Sequence, residues 1–203
     1  MATTTTELDT ELSAVNSILG AIGQAPITTL DYTNPEISFI YNILSEVNKD
    51  VQNEGWHFNR EYHKEFVPNT TTKNIPVGNE YLRFDLSNSD DRHMDVVVRD
   101  GKLYDLVNHT NEFTKTLYID VTELFAFEKI PSIFQRYIIY RSAVRAATQL
   151  VSNPELVKLL QVQESQARAS CMEYECDQGD HSYLGLSHEN SYRSYQPYDV
   201  LRR

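Results

Sequence analysis

Residues 11–30 read Glu-Leu-Ser-Ala-Val-Asn-Ser-Ile-Leu-Gly-Ala-Ile-Gly-Gln-Ala-Pro-Ile-Thr-Thr-Leu, and this stretch sets the class of the fold. Together with Leu8, the residues Leu12, Val15, Leu19 and Ile22 recur at alternating spacings of four and three, which makes one apolar face of a helix. Gly23 is a natural terminator, and Pro26 cannot continue the helix. Upstream, 1–6 is a polar lead-in, where Thr4 followed by Glu7 fits a capping box.

Downstream, Asn34-Pro35 opens a second helix, with Asn as cap and Pro at the first helical position. Ile37, Ile40, Tyr41, Leu44, Val47 and Val51 form its stripe, and Gly55 closes it. From Trp56 to Leu124 helical spacing disappears. Stretches 94–99 and 102–106 flank Asp100-Gly101, a strong hairpin signal, and 80–86 and 116–121 read as further strands around a 68–78 loop. After Pro131 the helical spacing returns in Ile133, Tyr137, Tyr140, Val144, Ala147 and Val151, widened by Phe134 and Ile138. Ser152-Asn153-Pro154-Glu155 ends that helix and caps another, whose buried side is Leu156, Leu160, Ala167, Cys171 and Tyr174.

The expected fold class is therefore α+β. Residues 1–55 and 127–176 supply the helix pairs of an antiparallel four-helix bundle, and a β module at 56–126 is inserted between helices 2 and 3. Residues 177–203 read as an extended arm, mostly polar with sparse aliphatic residues but carrying Tyr183, Tyr192, Tyr195 and Tyr198, with a plain disordered tail as the other reading. Tyrosines spaced along such a segment are anchors for ordering on a partner surface.

The chain has 203 residues with 18 Lys and Arg against 29 Asp and Glu, a net charge of -11, which excludes a basic nucleic-acid binder. No Lys or Arg precedes Lys49, so the basic n-region of a secretory signal is missing, and no apolar run is long enough for a membrane span. Two cysteines, Cys171 and Cys176, make a poor disulfide framework and predict a chain that folds in a reducing cytosol.

The sequence holds no phosphate-binding glycine loop, zinc-protease helix or serine-nucleophile elbow. Cys171, Cys176 and His181 repeat every five residues and so diverge around a helix instead of converging on zinc. Asp91, His93 and Asp95 are the best metal candidate, because alternate residues of an extended strand share a face. A metal-dependent hydrolase or nuclease using them is the alternative function, against the plainer reading of a solvated loop entering a hairpin. His57 and His63 have no nucleophile or orienting carboxylate at a defined spacing. Glu173, Glu175, Asp177 and Asp180 crowd a helix C-terminus, where the macrodipole disfavours negative charge; a basic partner surface would compensate it, against the plainer reading of a solvated face.

Three segments carry a family resemblance. Residues 11–30, Gly55-Trp56-x-Phe58-Asn59, and Cys171-Met172-Glu173-Tyr174-Glu175 resemble, in order and spacing, the head-to-tail adaptors of short-tailed bacteriophages, called tail tubular protein A. Ile130-Pro131 and the following helix fit the third helix of that family. The resemblance implies a structural virion protein without catalytic residues or cofactors. It implies a homo-oligomeric, twelve-subunit ring beneath the portal protein that continues the DNA channel and receives the nozzle, tail tubular protein B, with tail fibres attached near that joint. DNA would pass through the lumen without sequence-specific binding, the arm would contact the portal, and no small-molecule substrate is implied. An acidic wall suits that role, since like-charge repulsion keeps DNA moving.

Overall fold

The computed structural model describes residues 10–87 and 93–179. Helix α1 (Glu11–Ala21) is capped by the Thr10 side chain, which accepts the Ser13 N–H at 3.2 Å; Thr4 and Leu8 lie outside the described residues. The helix ends at Gly23 as the sequence predicts. Gly23 adopts φ +82°, its N–H donates to the Gly20 carbonyl, and the Gln24 N–H reaches back to the Leu19 carbonyl. This is a Schellman closure, which uses a residue in the left-handed region to satisfy the last carbonyls.

Helix α2 (Pro35–Asn53) starts on Asn34, whose side chain accepts the Glu36 N–H, with Pro35 in the first turn. After it, Gly55 at φ +76° turns the chain into a short 3-10 turn, His57–Asn59. The positive φ favours glycine at this corner, while a Cβ there would meet only the end of the Arg60 side chain, 2.9 Å from Nε, which can move aside.

Strands β1 (Arg60–Phe66), β2 (Tyr81–Leu86) and β5 (Leu117–Glu123) form an antiparallel sheet in the order β1-β5-β2. The register of β1 on β5 shifts between Glu61 and Lys64, where His63 takes φ +57° and donates its N–H to Oδ1 of Asp120 at 2.8 Å. Strands β3 (Val96–Arg99) and β4 (Lys102–Asp105) make the predicted hairpin, with Arg99 opposite Lys102. Asp100 at φ +51° and Gly101 at φ +69° place both central residues in the left-handed region, as a type I′ turn requires. The β residues share their own core of Phe66, Ile75, Val96, Leu103, Phe113, Leu117, Ile119 and Val121.

Helix α3 (Ser132–Ala146) continues through one π turn, Ala147–Val151, and ends at Ser152 with φ +53°. Helix α4 (Pro154–Gly179) follows at once, its first turn capped by the Asn153 side chain. It runs past the boundary at 176, so residues 177–179, assigned to the arm from composition, are helical. The other three helices pack against α3. A second core joins them, with Ile18, Ile40, Leu44, Phe134, Tyr137 and Ile138 fully buried. The protein is thus α+β, with four helices and two small antiparallel sheets.

Three differences from the sequence reading have physical causes. Strand β1 was not expected, because only Phe66 of its seven residues is buried and the register shift breaks any alternation. On α3 the buried residues include Gln135 and Ser142, since neighbours on several sides leave little of the helix wet, whereas Val151 at its end is exposed. The stripe on α1 omits Ile18, which is fully buried.

Candidate functional site

Two of the segments that carry the resemblance, 55–59 and 171–175, meet in space at one corner on α3. Trp56 and Phe58, just after α2, and Tyr174, near the end of α4, all pack on the ring of Phe134 in α3, with centroids 4.9, 4.7 and 5.8 Å away. Trp56 Nε1 donates to the Val51 carbonyl at 2.7 Å, so its one polar atom is satisfied in the core. Cys171 is buried one turn before Tyr174, and its thiol faces the Ile133 carbonyl. Burial pushes that thiol up to about 12, because the thiolate would lose its hydration. Met172 and Glu173 point outward and are exposed.

Beneath this aromatic corner lies a buried polar joint between the helices and the large sheet. The Gln52 side chain pairs with the Phe125 backbone as a strand would. Its Oε1 accepts the Phe125 N–H at 2.8 Å, and its Nε2 donates to the Phe125 carbonyl at 2.8 Å. Asn59 completes the joint. Its Nδ2 donates to the carbonyls of Gln52 (2.8 Å) and Glu123 (2.9 Å), and its Oδ1 accepts the Trp56 N–H. Both side chains are buried, at 0 and 1 % exposure, and every polar atom is used, so the joint ties the end of α2 to the chain that leaves β5. Composition gave no signal for it, although Asn59 stood in the family segment.

A third cluster ties α2, α3 and α4 on the outside of the same corner. Arg168 reaches Oε2 of Glu54 at 3.0 Å and the Tyr137 hydroxyl oxygen at 2.8 Å, while Arg141 reaches Oε1 of Glu54 at 3.3 Å and the same hydroxyl at 3.1 Å. The hydrogen bonds to Glu54 and then to Tyr137 raise Arg168 above the ordinary guanidinium range.

The corner has no nucleophile with a base beside it. The metal candidate is also not assembled among the described residues. His93 and Asp95 are exposed, Asp91 lies outside them, and no group of three His, Cys, Asp or Glu is placed to hold an ion. His63 stacks on Tyr118 at 4.4 Å. A cleft of about 240 Å³ lies beside the joint, lined by Glu11, Tyr41, Leu44, Asn48, Lys49 and Phe125. Burial, then the charge of Glu11 and the neighbouring Tyr32, push the Tyr41 hydroxyl up to about 12, so it remains protonated and is no base. Tyr183, Tyr192, Tyr195, Tyr198, His181 and Asp180 lie outside the described residues.

The sequence profile described as "Tail tubular protein" matches residues 12–181, from the first turn of α1 to beyond the end of α4. The chain belongs to the tail tubular protein family. It is accordingly a structural component of a phage tail. The match takes in every element of the tail tubular chain described above: the four helices, both sheets and the corner that joins them. None of the curated proteins matches the chain significantly. Among the described residues, no helix of this tail protein is long and apolar enough to cross a membrane.

Proposed function

We propose that this tail tubular protein is the ring-forming adaptor between the portal and the nozzle, tail tubular protein B, and that it is a structural protein, not an enzyme. The observation that carries the reading is the family match across residues 12–181. In this reading about twelve copies close a ring by a head-to-tail interface, and their lumen continues the DNA channel for retention and ejection of the genome. The helical parts (1–55 and 127–176) act as one antiparallel four-helix bundle forming the body of the ring, and the 56–126 β module projects toward the nozzle and tail fibres. The segment after α4, 180–203, reaches the portal through Tyr183, Tyr192, Tyr195 and Tyr198.

Two features support this division of labour. Trp56, Phe58, Asn59, Cys171 and Tyr174 do structural work at the corner, holding the end of α4 against the turn that leads into the β module. Met172 and Glu173 stay on its outer surface. The net charge of -11 per copy suits a channel wall that must not retain DNA.

Negative-stain electron microscopy of the chain mixed with its phage's portal, beside the chain alone, tests the proposal. A ring stacked coaxially on the portal is the expected result, and it counts the subunits. Monomers in both samples refute the adaptor reading.

A further inference from the structure

The large sheet has one face turned away from the β core. On β5, Leu117, Ile119 and Val121 belong to that core, so Tyr118, Asp120 and Thr122 lie on the other side. The register fixes what stands beside them. Arg60 of β1 and Arg83 of β2 are both paired with Thr122, and Asp85 of β2 is paired with Asp120 one row further on. A cleft of about 270 Å³ opens over these residues and Tyr62.

The polar groups of this cleft are poorly matched to one another. Among the described residues, neither Arg60 nor Arg83 has an ion pair or a side-chain hydrogen bond, and Asp85 has none either. Thr122 is only 5 % exposed, and its hydroxyl, between the two arginines, has no partner among the described residues. A hydroxyl so placed, and two carboxylates directly opposite each other, are both unfavourable within the chain. Neighbouring charges do not relieve them. Glu61 is paired across the sheet with Val121 and is bound to Lys64, and Glu54 is held by Arg141 and Arg168. Asp120 takes the His63 N–H and the Ser87 hydroxyl, neither of them a cation. Glu65 stands opposite Tyr118, beyond the carboxylate row.

We infer that this face is a docking site for an extended segment of a partner protein that carries a carboxylate and, two residues along, a basic side chain. The carboxylate meets Arg60, Arg83 and the Thr122 hydroxyl, and the base meets Asp85 and Asp120. Charge complementarity and spacing select this occupant. Rows two residues apart on a strand are separated by about 6.8 Å, which is also the distance between alternate, same-side residues of an extended partner. Nucleic acid would bring further phosphates onto the two aspartates, and a polybasic segment would bring cations onto the two arginines. An apolar cover would strip water from both arginines and both aspartates and leave them unpaired. Tyr62, 38 % exposed at the rim, is the kind of aromatic side chain that anchors such contacts. The inference goes beyond the adaptor reading and does not depend on it.

The test uses the full chain and a synthetic peptide, Thr-Thr-Glu-Thr-Lys-Thr-Thr. The controls are Thr-Thr-Glu-Lys-Thr-Thr-Thr, whose two charges point to opposite sides of an extended chain, and inorganic phosphate. Amide NMR shifts report where each binds and how tightly. The expected result is saturable shifts at 60–62, 83–85 and 120–122 for the first peptide, with the second bound about tenfold more weakly. Arg83→Gln and Asp85→Asn should each weaken the first peptide about tenfold, whereas Arg136→Gln, at an exposed arginine of α3, should leave it unchanged. Thr122→Val separates binding from folding. Its hydroxyl bonds nothing among the described residues, so thermal unfolding should hold or improve while the peptide binds several-fold more weakly. The absence of shifts at these residues up to about 10 mM peptide overturns the inference. So does equal binding of the two peptides, or phosphate held at least as tightly by the same residues.

Discussion

Both carboxylate oxygens of Glu175 accept the backbone N–H of His57, at 3.0 and 2.9 Å, across 118 residues of sequence. The acidic end of α4 thus meets part of the compensation that the helix dipole calls for within the chain. The donor is the first N–H of a 3-10 turn, not a basic side chain.

Replacing Glu175 by Ala removes that acceptor from the His57 N–H and loosens the end of α4, which Tyr174 and Cys171 still hold at the corner. The expected loss is about 1 kcal/mol in urea unfolding, with faster hydrogen exchange at the His57 amide. Unchanged exchange there would show that the contact does not persist in solution.

Phe134 is the ring on which Trp56, Phe58 and Tyr174 converge. Phe134→Ala should therefore cost about 3–5 kcal/mol, the range for emptying an aromatic core site. Denaturant unfolding measures it, and a loss below 1 kcal/mol would mean that the corner collapses to fill the gap.

Gln52→Leu keeps the volume and removes the pairing with Phe125. It strands the Phe125 N–H and leaves the Phe125 carbonyl with only the longer hydrogen bond from Asn48 Nδ2 at 3.4 Å, for an expected cost of about 1–3 kcal/mol. The β module should also loosen relative to the helices. Protease nicking near residues 124–126 in the variant and not in the wild type would report that loosening.

The two thiols should differ in reactivity. Cys176 is exposed and Cys171 is buried, so a thiol reagent at pH 8 should modify one in the native protein and both after denaturation. Because Cys171 is raised to about 12, the unfolded chain gives up its thiol proton first. Its contribution to stability is complete below the ordinary thiol range and is lost as pH climbs from there toward 12. A Cys171→Ala variant should show a flatter alkaline fall in stability; an identical fall excludes this source.

Gly101→Ala has room for its methyl group, since the nearest atom to an added Cβ is the Val77 carbonyl oxygen at 3.8 Å. The cost is then conformational, about 1 kcal/mol for a positive φ without glycine. Thermal unfolding measures it, and a neutral result would mean that the turn has changed type.

The parts of this fold legible from sequence are those where a local rule and the global packing agree. Asn34-Pro35, Asn153-Pro154, Gly23 and Asp100-Gly101 each dictate a backbone conformation within a few residues, and each element begins or ends where they stand. The resemblance located the residues of the corner, but not their contacts, which span long separations. Gln52, Asn59, Gln135 and Ser142 were invisible as core because burial of a polar side chain leaves no periodic apolar trace. Strand β1 was invisible for the opposite reason: it is a strand held by backbone pairing while nearly all its side chains face water.

The register shift at His63 bears on how copies of this chain can coexist. An edge strand offers a row of open N–H and carbonyl groups that another strand can copy, and in a concentrated population such copying runs away into fibrils. In β1 that row is broken midway, because the His63 N–H is turned back to Asp120 and the backbone leaves the extended region at +57°. A ladder started on this edge meets a missing rung after a few residues. Copies of the chain can thus be kept at high local concentration without this edge templating strand upon strand.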